Sequence, residues 1–292
     1  MSKEFDTAVI GHFSVDFNTD HLGNTVKQFG GAVIYSSYSA VAGGNKVAVI
    51  TKAAPSEKAE TLFNVPKEDL WVLPSDVSTS IENVYLTADK ERRKCRAISV
   101  AKPFSMQDIP PIKTKIWHLA GLIYGDFSED MIVELSKTGK VAVDVQGFLR
   151  HATDEGMIFK DWENKKKCLP YISFLKTDAA EAEVMTGLTD RQEAAKLLYS
   201  WGAKEIMISH NTEMLIYDGK NFYTKPVVSR NLSGRTGRGD TVFSAYITER
   251  LRKPIDEALL YATAAVSLKM EKPEPLKATR SDIEAYIKEM YK

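Results

Sequence analysis

A chain of 292 residues is long enough for one large α/β domain carrying a small appendage, and its 27% charged residues are ordinary for a globular protein. Its 39 Lys and Arg balance 39 Asp and Glu, so a formal charge of zero leaves no electrostatic footprint for nucleic acid or an acidic membrane surface. The N-terminus lacks a signal-peptide pattern, no run nears the roughly 18 apolar residues of a membrane helix, and Cys95 and Cys168 lack a Cys-x-x-Cys partner. The chain therefore reads as a cytoplasmic protein with two reduced thiols.

Short β-branched runs predict strands at 7–11 and 46–51, then at 116–119, 141–145, 172–175, 206–209 and 214–217. Several are apolar throughout, as expected of parallel strands covered on both faces. Helical patterns fall at 127–138, 179–186, 191–201, 241–251 and 262–270, with Gly139, Gly187 and Gly202 at helix ends. The alternation predicts a doubly wound, mostly parallel α/β sheet flanked by helices. Residues 80–87 and 94–102 break it as an antiparallel hairpin around the charged turn 88–93. Such a hairpin serves either as a lid that excludes water from a cleft or as a surface excursion, and it also offers a surface for a homodimer.

The most informative stretch runs from Asn231 to Phe243 and holds Gly234, Gly237 and Gly239 just before a helix. Closely spaced glycines let successive backbone N–H groups turn into one concavity, and the helix N-terminus adds partial positive charge, so the place suits a phosphate. Asp240 at its end has two readings: a helix cap, or a base that takes a proton from an attacking hydroxyl.

Gly234-Arg235-Thr236-Gly237-Arg238-Gly239-Asp240 resembles the D-T-x-G-A-G-D signature of the ribokinase-like, pfkB-type carbohydrate kinases. The resemblance spans nearly the whole chain and extends to a subgroup that includes inositol and nucleoside enzymes. It implies a single ribokinase-like domain over 1–292, with a small β-sheet lid from about 12–33 and 79–102. Carried over, Asp240 is the base and the Gly237, Arg238 and Gly239 amides form the anion hole. The signature's leading Asp is Gly234 here, which removes a carboxylate from where some relatives build a monovalent-cation site. Its Ala is Arg238, which adds a side chain able to touch phosphate.

The same resemblance makes Gly30-Gly31 and Asp16 substrate-binding, since paired glycines admit close approach and a carboxylate accepts two hydroxyl bonds. Gln146 and Arg150, in Asp144-Val145-Gln146-Gly147-Phe148-Leu149-Arg150, follow a strand end and are the further substrate contacts; a polar crossover loop is the alternative. Asp178 and Glu181 match the family's N-x-x-E segment, with Glu181 holding magnesium through water; as a bare pair at a helix start they are equally dipole-favoured charges. His210 and Asn211 stand where relatives carry a T-x-G-x-x-G nucleotide loop, so nucleotide contacts there are rearranged. The helix at 262–270 would pack beside adenine. The implied function is ATP- and Mg2+-dependent transfer of the γ-phosphoryl group to a hydroxyl of a sugar, cyclitol or nucleoside. A catalytically silent nucleotide- or sugar-binding sensor on the same fold, and an interaction module using the hairpin, are the alternatives.

Overall fold

The computed structural model describes residues 3–87 and 92–292, so most of the charged turn 88–93 lies outside the described residues. In chain order the first half comprises β1 (Glu4–Ile10), β2 (Ser14–Thr19), β3 (Thr25–Gly30), α1 (Ala32–Ala42), β4 (Val47–Ala53), β5 (Leu70–Pro74), β6 (Thr79–Tyr85), β7 (Arg93–Ser99), β8 (Lys113–Leu119), α2 (Glu129–Ser136) and β9 (Lys140–Asp144). There follow α3 (Gln146–Leu149), β10 (Arg150–Thr153), β11 (Gly156–Phe159), α4 (Lys165–Cys168), β12 (Phe174–Asp178), α5 (Ala179–Thr186) and α6 (Arg191–Ser200). The chain then runs through β13 (Glu205–Ser209), β14 (Glu213–Tyr217), β15 (Phe222–Pro226), α7 (Arg238–Glu249), α8 (Ile255–Met270) and α9 (Arg280–Met290).

Nine strands form one sheet in the order β15-β14-β13-β12-β9-β8-β1-β4-β5, parallel except where β13, β14 and β15 pair antiparallel at one edge. The central strands are apolar on both faces because both are covered. Trp117, Val143 and Leu175 pack with Met131 and Leu198 on one side. Ala142, Phe174 and Met207 pack with Phe243, Tyr246 and Ala262 on the other. The sequence order reverses at β1, which lies between β8 and β4. The carboxyl ends beside such a reversal are where open α/β sheets bind ligands.

A separate four-stranded sheet has the order β3-β2-β6-β7, and β6 and β7 pair antiparallel as the hairpin pattern predicts. β10 and β11 make a third, two-stranded hairpin. α1, β5, the β10–β11 hairpin, α4 and α9 are absent from the pattern reading, and three further elements differ from it in extent or type. α7 begins at Arg238 rather than 241, because Gly237 takes the left-handed φ of 75° as N-cap and leaves 238–240 helical. α8 begins at Ile255, seven residues before the pattern, with the exposed Asp256 and Glu257 in its first turn. Residues 146–149 form the short helix α3 rather than a loop.

α1 is clamped to α7 by two side-chain hydroxyls. Ser39 Oγ donates to the Thr241 carbonyl at 2.7 Å, and Ser244 Oγ donates to the Ser36 carbonyl at 2.7 Å. Both helices leave a glycine turn, so the clamp fixes Gly30-Gly31 relative to Gly237-Arg238-Gly239.

Candidate active site

The glycine loop is shaped by its neighbours. A Cβ on Gly237 would lie 2.2 Å from the Tyr35 ring of α1, and one on Gly234 would lie 1.7 Å from the Lys272 carbonyl. The first α7 amide with an intrahelical acceptor is that of Thr241, which donates to Gly237 O at 3.0 Å. The amides just before it belong to the first turn and have no intrahelical carbonyl acceptor, as at any helix N-terminus. Gly237, not Asp240, holds the N-cap position, and no side chain caps the helix. Asp240 stands in the first turn, where its carboxylate meets its own backbone N–H, so it is a first-turn acid and not the N-cap residue.

Beneath the loop lies a buried charge cluster. Lys176 in the middle of β12 donates to Asp144 Oδ2 at 2.8 Å and stands 3.9 Å from Glu181 Oε2. A Cβ on Gly239 would come within 3.0 Å of the Lys176 ammonium, so the loop rests on this charge. Burial alone would depress Lys176, but the Asp144, Glu181 and Asp240 carboxylates more than offset it and hold the ammonium charged. Burial pushes Asp240 up to about 6, with Asp144 adding and Lys176 and Lys269 opposing. Burial likewise pushes Glu181 up to about 7, against Lys176 and with Asp144 and Asp178 adding. Carboxylates displaced this way are short of neighbouring positive charge, a state common at functional sites.

Asp178 and Glu181 form a reciprocal capping box on α5. Glu181 N–H donates to Asp178 Oδ1 at 2.8 Å, and Asp178 N–H donates to Glu181 Oε2 at 2.8 Å. Their spacing thus has a structural cause. The same Oε2 that accepts the box bond stands 3.9 Å from Lys176 Nζ, so Glu181 links the box to the charge cluster. β12 and β13 run parallel with Asp178 opposite Ser209, which brings His210 and Asn211 to the same edge. His210 bonds to Thr212 Oγ1 at 3.1 Å.

On the other side, the Asp16 carboxylate of β2 lies against Gly30, where a Cβ would meet Oδ2 at 2.6 Å. Gly31, at φ 102°, would press a Cβ onto the His12 carbonyl at 2.7 Å. Burial raises the Tyr35 phenol, and the negative charges of Asp240 and Asp16 add to the shift. Gln146 N–H donates to Asp144 Oδ1 at 3.1 Å, placing Gln146 at the cluster. Arg150 instead reaches the four-stranded sheet: Nε donates to Met157 Sδ at 2.9 Å and a terminal nitrogen to Cys95 Sγ on β7 at 3.6 Å. Asp144, Lys176, Lys269 and Tyr35 were missed as site residues. The only sequence signal for Asp144 and Lys176 was a charge ending an otherwise apolar strand.

Residues 72–280 match the model of the pfkB family of carbohydrate kinases. The cytidine kinase of Thermococcus kodakarensis is 26% identical over 266 residues, 87% of this chain and 92% of its own length. A pyrophosphate-dependent kinase in the ribokinase family, complexed with a pyrophosphate analog and myo-inositol, superposes with a TM-score of 0.85 at 36% identity, over 96% of this chain and 99% of its own. The ribokinase of Arabidopsis thaliana, complexed with ribose and ATP, superposes with a TM-score of 0.78 at 13% identity, over 99% of each chain.

Proposed function

The chain belongs to the pfkB family of carbohydrate kinases, and from that membership we propose that Asp240 takes the proton of an acceptor hydroxyl while the Gly237, Arg238 and Gly239 amides receive the transferred phosphoryl group. The carrying observation is that a half-buried carboxylate, raised to about 6 by desolvation, stands in the first turn of α7 without serving as its N-cap. At neutral pH it is ionised yet basic enough to accept a hydroxyl proton as the oxygen attacks. The loop amides and the N-terminal end of α7 offer fixed donors where negative charge grows on the phosphoryl oxygens, each such donor contributing roughly 3–4 kcal/mol in a dry site. Lys176, paired with Asp144 below Gly239, supports the loop from beneath.

The acceptor in this reading is a ring hydroxyl of a sugar, cyclitol or nucleoside, seated between Asp16, Gly30-Gly31 and Gln146. The four-stranded sheet that carries Asp16 acts as its lid, and Arg150 ties the lid strand β7 to the core. Among the described residues no three acidic, His or Cys side chains converge to ligate a metal directly. The raised Glu181 fits a magnesium ion held through water together with donor phosphates, which is the usual magnesium arrangement. Bound there, the ion would neutralise donor charge and draw Glu181 back to its ionised form.

ATP is the donor implied by the family signature, with Asp178, Glu181, His210 and Asn211 on its side of the site. Pyrophosphate is a second reading, and two observations favour it. The 210–213 turn has no glycine to let backbone approach a nucleotide. Ser267, on the α8 stretch beside which relatives seat adenine, is covered by Tyr291, whose hydroxyl bonds to its Oγ at 2.8 Å. The test is a panel of myo-inositol, ribose and cytidine, each offered ATP or pyrophosphate with magnesium, with products read by phosphorus NMR. Phosphorylated product lost in Asp240→Asn supports the assignment. Binding without product for every pair returns the chain to the silent-sensor reading.

A further inference from the structure

Lys269, in the last turn of α8, is 1% exposed. Its ammonium donates to backbone carbonyls: Gly234 at 2.8 Å, Thr236 at 2.5 Å, and Lys272 and Pro273 at 3.5 Å each. Two chain segments, the start of the glycine loop and the turn after α8, thus point carbonyl oxygens at one positive charge. They are pressed together at Gly234, whose N–H donates to Met270 O at 2.7 Å. Carbonyl oxygens only accept, and their converging dipoles repel unless a cation lies between them. A ring of backbone carbonyls is how proteins coordinate potassium.

We propose that the Lys269 ammonium is a built-in cation that holds the start of the glycine loop in place, so that its anion-facing amides stay aligned without a bound monovalent metal ion. Lys269 is a positioning residue and acts through the loop. The Tyr35 ring lies 5.2 Å from its Nζ and also packs on Gly237, so lysine, ring and turn form one stack. The groups facing the ammonium are Asp240 of α7, Glu274 beyond α8 and the Tyr35 phenol of α1. Burial pulls the ammonium down to about 8, with Asp240 and Glu274 opposing, so it is charged at neutral pH.

The inference rests on the kinase reading, and its test has one readout apart from activity. Wild type, Lys269→Ala and Lys269→Met are compared in chloride salts of tetramethylammonium, sodium, potassium and ammonium. Wild-type turnover and melting temperature at pH 7 are expected to vary less than twofold and by no more than about 1 °C between these salts. Lys269→Ala is expected to lose at least tenfold in turnover and to melt lower. Potassium or ammonium, but not tetramethylammonium, is expected to recover most of both. A folded variant that no cation restores in either measure overturns the proposal, as does a wild type that needs potassium at pH 7. If neither variant folds, wild type decides: at pH 9 its turnover and melting temperature become potassium-dependent, and indifference there overturns the proposal. If wild type phosphorylates nothing, the kinase reading falls while the melting comparison still judges the role of Lys269.

Discussion

Asp240 is the base in the proposed reaction, where three things meet at one carboxyl: desolvation, a helix N-terminus and the Lys176–Asp144 ion pair beneath it. Replacing it with Asn keeps the shape and removes the base, so turnover is expected to fall roughly a hundredfold or more with little change in KM or melting temperature. The same group sets the acid limb of the rate profile. Its value is raised to about 6, so the active carboxylate is lost as pH falls through that value. Turnover without bound metal saturation should then drop about tenfold per pH unit on that side, and Glu181, at about 7, steepens the limb. A flat profile from pH 5 to 8 would contradict the assignment. Gly237 is required twice, by φ 75° and by the Tyr35 ring. Gly237→Ala is expected to cost about 1–3 kcal/mol of stability from the left-handed backbone alone, read by urea unfolding.

At the scale of elements, the site depends on how helices are locked behind it. α1 and α7 are joined by serine-to-carbonyl bonds rather than by an amphipathic stripe, which is why both are buried on most sides. α9 closes over α7 through Arg280, whose guanidinium pairs with the buried Glu249 and stacks on Tyr261 at 4.8 Å. Removing the guanidinium leaves the 1% exposed Glu249 carboxylate with only Arg252 at 4.0 Å. Arg280→Ala is expected to destabilise by about 3 kcal/mol in urea unfolding, far more than an exposed pair would. An effect under 0.5 kcal/mol would show that α9 does not brace the site helices.

For the whole molecule, buried groups around the site tie stability to pH in opposite directions. His118, buried in β8 against Phe243, is pushed down to about 3 by burial and by Lys176. The unfolded chain takes up this proton near 6.5 and the native state does not. Stability from His118 therefore falls by ~1.4 kcal/mol per pH unit below 6.5. Asp240 and Glu181 are raised, so their contribution is full at low pH and is lost as pH rises through about 6 and 7. In His118→Asn the first slope is absent, so its unfolding free energy should gain on wild type as pH falls from 6.5 to 4.5. Parallel curves would show that His118 is protonated in the native state.

Much of this was legible along the chain. The strand–helix alternation, the apolar central strands and the hairpin follow from local periodicity, and those elements stand within a few residues of the pattern. The glycine spacing before Asp240 exposed the tight turn that opens α7, because φ and steric room are local demands that only glycine meets. The capping box at Asp178 and Glu181 was legible as a pair at i and i+3, though not the burial that raises Glu181. Other features have no local trace. α1 is buried on most sides and lacks a polar face, so no period marks it. Lys176 and Asp144 are 32 positions apart and pair only because β9 and β12 are neighbours. Lys269 looks like a helix-end charge until the fold brings four carbonyls to it. By itself the sequence determined the order of elements and the glycine loop that opens α7, since both rest on short-range geometry. Only the tertiary structure decided which charges meet and which are buried, because distance and desolvation are properties of the packed chain.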